Sequence, residues 1–104
     1  NGHQAHRDAD GKYRYVLAHR DPGVPNWLDV SDHPEGSVFM RWVFPQNGEA
    51  PKRPVARVVA LDALRENLPA ETPVVTPGQR ASVLRERALG YQRRMNPAGL
   101  LPPQ

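Results

Sequence analysis

Apolar and polar positions alternate from Lys12 to His19. Tyr13, Tyr15 and Leu17 fall on one side of the chain, and Arg14, Val16 and Ala18 on the other. A period of two predicts a β-strand. Asp8-Ala9-Asp10-Gly11 precedes it and reads as a turn, because glycine takes positive φ without steric cost. The same period returns more strongly from Ser37 to Phe44. There Val38, Met40, Trp42 and Phe44 oppose Phe39, Arg41 and Val43. Both faces are largely apolar, as in a central strand covered on both sides. Val55 to Leu61 is a third expected strand, edge-like where Pro54 starts it.

Between these strands the pattern breaks. Asp21 to Gly36 carries Pro22, Gly23, Pro25, Pro34 and Gly36, which argue against a regular helix or central strand. Trp27 and Leu28 sit in its middle, so the expectation is a structured loop pinned by a buried indole. Pro45 to Pro54 is a polar, hairpin-like loop with Asn47-Gly48 as its turn. Asp62 is placed to cap a short helix through Leu68, stopped by Pro69.

The last element has a clear beginning. Thr76 suits an N-cap, Pro77 the first helical position, and Gln79 the reciprocal place of a capping box. Leu84, Ala88, Tyr91 and Met95 then recur on one helical face. Asn96-Pro97 ends the helix. The expected organisation is a β-rich region over 1–75 with its structured loop at 21–36, an arginine-rich helix over 76–96, and a tail over 97–104. The fold class expected is mostly β (α+β): an antiparallel sheet or partial β-sandwich with a long C-terminal helix. No internal repeat or low-complexity tract interrupts it.

Composition sharpens this picture. Only 38% of the 104 residues are hydrophobic and twelve are proline, a thin supply for a self-sufficient core. The expectation is that the chain leans on an upstream domain of the same protein or on a partner subunit. With no cysteine, disulfides, thiolate metal sites and cysteine catalysis are excluded. That leans toward the cytoplasm and leaves the periplasm open. No stretch approaches the length of a membrane span, and a targeting segment, where one exists, is expected upstream of Asn1. The net charge of +3 is concentrated: Gln79 to Met95 holds Arg80, Arg85, Arg87, Arg93 and Arg94 against Glu86 alone. Only Lys12 and Lys52 are lysine, a bias usual in GC-rich bacterial genomes.

Candidate chemistry is sparse. His19, Asp21, Asp29 and His33 are the ligand-cleft candidates, since a His–Asp pair can serve as an oriented base and loops on a rigid sheet collect function. No nucleophile elbow surrounds Ser31, Ser37 or Ser82. The preferred alternative is that Asp21 and Asp29 accept backbone N–H groups and shape the loop. His3 and His6 match no metal-binding spacing, so neither a metal nor another cofactor is expected. Trp27, Arg41 and Trp42 are expected as structural anchors. Arg80, Arg87 and Arg94 lie within about 40° of one another on a helical wheel. That row would meet phosphates, pair with protein carboxylates, or lie solvated along the apolar stripe. Protein pairing and solvation rank ahead of nucleic acid.

Asp21 to Asp29, with its Asn26-Trp27-Leu28 loop, then Gly36, Arg41-Trp42 and Pro45, resembles a bacterial domain-of-unknown-function family, number twelve-fourteen. The resemblance covers roughly residues 8–45. It implies a β-sandwich-like domain at the C-terminal end of a longer protein, and it brings no catalytic residue. The expected function is therefore a non-catalytic structural or ligand-cleft module. The rival readings are an enzyme site completed by upstream residues, and polyanion binding through the helix.

Overall fold

The computed structural model describes residues 2–42, 48 and 52–96. Its regular elements are two short strands, β1 (Val16–Ala18) and β2 (Trp27–Asp29), 3-10 turns at Leu61–Ala63 and Arg65–Asn67, and one long helix, α1 (Pro77–Met95). β1 and β2 pair in parallel, with Val16 opposite Trp27, Leu17 opposite Leu28 and Ala18 opposite Asp29. This small α+β arrangement overturns the expected antiparallel sheet or β-sandwich.

The parallel pairing is possible because the strands are short. A crossover of a dozen or more residues is the norm. Strands of only ~10 Å ask little of the return path, and residues 19–26 cover it. Asn26 closes the return. Its φ of 61° lies in the left-handed region that asparagine tolerates. Its Nδ2 donates to His6 O (2.8 Å) and Arg14 O (3.0 Å), and its Oδ1 accepts from His6 N (2.7 Å). One side chain thereby ties the N-terminal segment to the run leading into β1, just ahead of β2. The Trp27 indole N–H reaches back to Ala18 O at 2.9 Å and clasps the loop from the other end.

The N-terminal turn forms as its sequence predicts. Gly11 takes φ 84°, Gly11 N donates to Asp8 O, and Asp8 N donates to Lys12 O, each at 2.9 Å. Arg14 fastens this turn, contacting Asp8 Oδ2 and Asp10 Oδ2 at 2.7 Å each. The alternating run from Lys12 is strand only over Val16–Ala18, with an isolated antiparallel bridge between Arg7 and Tyr13.

Helix α1 starts where the capping box places it. Thr76 accepts from Gln79 N, Gln79 Oε1 accepts from Thr76 N, and Asn96 is the C-cap. Its orientation differs from expectation. Arg80 is buried and Val83 and Arg87 are half-buried, whereas Leu84, Ala88, Tyr91 and Met95 are exposed. The helix docks through its arginines because the loop before β2 offers them acceptors. Asp62 also differs: it lies inside the first 3-10 turn, and no side chain caps that turn.

The strongest strand expectation and the third find no partner. Residues 37–42 and 52–60 carry no strand pairing among the described residues, and Phe39 is 91% exposed and Val58 103%. Trp42, expected in a core stripe, is exposed, as are Val38, Met40 and Arg41. A sheet requires a neighbouring edge, and the described chain supplies none for these segments. Residues 43–47, 49–51 and 97–104, which hold Phe44, Asn47 and the expected tail, lie outside the described residues. Among those described, the buried apolar side chains are Val24, Trp27 and Leu64. The accessible surface is 9195 Å², against about 5,800 Å² for a compact monomer of 11.6 kDa. The radius of gyration is 16.1 Å, where a compact domain of this length has about 13 Å.

Candidate functional site

The loop of residues 19–26 and its junction with α1 form the best-ordered arrangement of polar groups. Asp21 Oδ1 accepts from Gly23 N at 2.8 Å, an Asx turn that lets Gly23 take φ 70°. The other carboxylate oxygen, Oδ2, accepts from Arg80 Nε at 3.1 Å. Arg80 also donates Nη2 to Val24 O and lays its guanidinium over the Trp27 ring, Cζ 5.3 Å from the centroid. One turn pair further along, Arg87 donates Nη1 to Trp27 O and Nε to Gln4 Oε1, both at 3.2 Å. Val75 N, just before the helix, donates to Gly23 O at 2.8 Å. A planar fork with several donors suits this task better than a lysine would.

Two of the three polyanion candidates are thus engaged inside the chain. Arg80 is 4% exposed and Arg87 half-buried, while Arg94 is exposed on the last turn of α1. Of the expected anchors, Trp27 is buried in this junction, and Arg41 and Trp42 lie on the exposed segment 37–42.

The cleft candidates separate into two groups. His19 and His33 line one recess of about 390 Å³, together with Leu17, Val30, Glu35 and Val38. Asp21 and Asp29 do not line it. Asp29 instead accepts from Ser31 N at 2.8 Å, where Ser31 and Asp32 both take positive φ and His33 N closes the turn onto Val30 O at 3.0 Å. Both aspartates therefore hold loop backbone.

The recess has the volume of a small-molecule site. It offers two imidazoles, one carboxylate and an apolar wall. Ser37 also lines it, but among the described residues no hydrogen bond joins Ser37, His19, His33 or Glu35. A nucleophile oriented by a base needs such a bond. Among the described residues no group of three or more His, Asp or Glu side chains is placed to hold a metal ion.

Sequence reasoning missed Asn26 as a tie point and Arg14 as a clamp. Asn26 carries a usable signal, since an asparagine between Pro25 and a tryptophan suits a left-handed turn residue. The backbone groups of His6 and Arg14 that its side chain meets carry none, because they are set by the return path of the chain.

No protein-family model, no curated protein and no solved structure matches this chain. The resemblance over roughly residues 8–45 therefore rests on its quoted residues alone.

Proposed function

We propose that this chain is a non-catalytic interaction module, whose exposed apolar segments are covered by another polypeptide surface in the assembly it serves. That surface belongs either to a further region of the same protein or to a partner subunit. One observation carries the proposal: most of the large apolar side chains lie outside the core. Phe39, Trp42, Val55, Val58, Leu84, Tyr91 and Met95 are exposed, whereas Val24, Trp27 and Leu64 are buried. Folded domains keep most of their large apolar side chains away from water. No helix among the described residues is long and apolar enough to cross a membrane.

Sedimentation velocity over a range of concentrations, with an apolar dye as a second readout, tests the proposal. Concentration-dependent association and dye binding are expected. A monodisperse monomer at every concentration that binds no dye and melts in one cooperative transition would overturn it.

A second reading draws on the recess at His19 and His33, whose volume fits a small ligand. In this reading the covering polypeptide completes the cleft and supplies whatever reacts. Replacing His19, Asp29 and His33 in the full-length protein separates the two. Unchanged turnover on an identified substrate removes the second reading and leaves the first intact.

A further inference from the structure

We propose that residues 52–60 are a β-strand in waiting, taken up by the edge of another polypeptide's sheet that carries acidic side chains. This rests on the interaction-module reading and names the chemistry of its partner.

The segment has the composition of a strand. Val55, Val58 and Val59 are β-branched, and Pro54 stands near its start, where an edge strand tolerates it. It lies outside every element, and its last residue, Ala60, is extended with φ −65° and ψ 140°. Among the described residues, no backbone acceptor meets the N–H groups of residues 55 to 59. Val55 is 89% exposed and Val58 fully so. Exposed β-branched side chains beside unpaired backbone groups are what strand addition uses, with main-chain bonds for affinity and alternate side chains for specificity.

Charge selects the partner. Lys52, Arg53 and Arg57 are the segment's charged residues, and no acidic side chain offsets them. Arg53, Val55 and Arg57 share one face, and Pro54, Ala56 and Val58 share the other, by the two-residue period of an extended chain. A fitting edge therefore places carboxylates opposite Arg53 and Arg57, and an apolar surface under Ala56 and Val58. A second copy of this chain fits worse, because it would set arginine against arginine. Single-stranded nucleic acid also fits worse, because residues 52–60 hold no aromatic ring on which a base would stack. Among the described residues its side-chain hydrogen bond to the folded part is one long contact from Arg57 Nη2 to Asn67 O, at 3.4 Å.

The test uses the whole chain and a synthetic peptide of alternating glutamate and valine, followed by amide hydrogen exchange. Exchange over residues 55 to 59 is expected to slow by about tenfold or more with this peptide. A lysine–valine counterpart should leave it unchanged. Val55→Pro and Val58→Pro remove N–H groups that point to opposite edges, so the double variant should lose the protection while α1 keeps its circular dichroism. The proposal is overturned if the acidic peptide gives no protection there. It is equally overturned if both peptides protect alike, or if oligothymidylate protects in place of the peptide. If the chain self-associates and binds dye while these amides still exchange freely, only this inference falls. A monodisperse, dye-free monomer with free exchange removes the interaction-module reading as well.

Discussion

Arg80 stacks on Trp27, its Cζ 5.3 Å from the ring centroid, and from there also reaches Asp21 Oδ2 and Val24 O. Loop, strand and helix meet at this one guanidinium. Arg80→Ala would strand Val24 O away from water and release Asp21. The expected cost is about 2 kcal/mol of local stability, or roughly thirtyfold faster exchange of the Val75 N–H bonded to Gly23 O. Arg80→Lys should recover less than half of that, since an ammonium cannot fork to two acceptors while lying flat on an indole.

Asn26 does two jobs that substitution can separate. Asn26→Gly keeps the left-handed conformation and loses three side-chain hydrogen bonds, whereas Asn26→Ala loses both. The alanine variant should be worse than the glycine variant by about 1 kcal/mol, the strain of a Cβ in that region. Exchange of the Val16 N–H, which bonds to Asn26 O at 3.0 Å, is the local readout.

The hydroxyl of Thr72 is buried, and Oγ1 meets no hydrogen-bond partner among the described residues. An unmet buried hydroxyl costs free energy that an isosteric methyl does not. Thr72→Val should therefore stabilise its surroundings by about 1 kcal/mol. The amide at position 72, bonded to Pro69 O, should exchange about fivefold more slowly after correction for side-chain type.

Much of the helix was legible because its signals are local. Thr76, Pro77, Gln79 and Asn96 act within one turn of where they stand, and so does Gly11 in its turn. Trp27 was legible as an anchor because no exposed position suits an indole inside a Pro/Gly loop. The side of α1 that turns inward was not legible. The stripe from Leu84 to Met95 declares that the helix is amphipathic, but which face docks is decided by acceptors on Asp21, Val24 and Trp27, far away in sequence. The strands failed for a related reason. Alternation at 37–42 and 52–60 states that a chain is ready to pair, and pairing needs an edge that the described residues do not contain. Of the four cleft candidates, His19 and His33 line one recess, and the diversion of Asp21 and Asp29 into loop bonds stood as the competing possibility.

Asp10 gives the N-terminal turn a pH signature. The hydrogen bond from Arg14, followed by that from the Lys12 backbone, lowers its carboxyl from 3.8 to about 2. A depressed acid stabilises the folded turn fully above its unfolded pKa and loses that contribution as pH falls through the folded value. The contribution is thus complete above about pH 4 and fades toward pH 2. Carboxyl-detected NMR should show this low midpoint in the intact chain. Arg14→Ala should move it back toward 3.8. A midpoint unmoved by that substitution would remove Arg14 as its cause.

Gln4 holds the far helix from both sides: its amide nitrogen donates to Val83 O and Glu86 Oε2, and its oxygen accepts from Arg87. The ribosome adds these partners 79 to 83 residues apart. At about 5–20 residues per second, Trp27 waits roughly 3–10 s for Arg80 to be joined to the nascent chain. Until then the indole has no lid, and its loop stays available to chaperones. The junction of loop, strand and helix therefore closes only once both of its halves have been made.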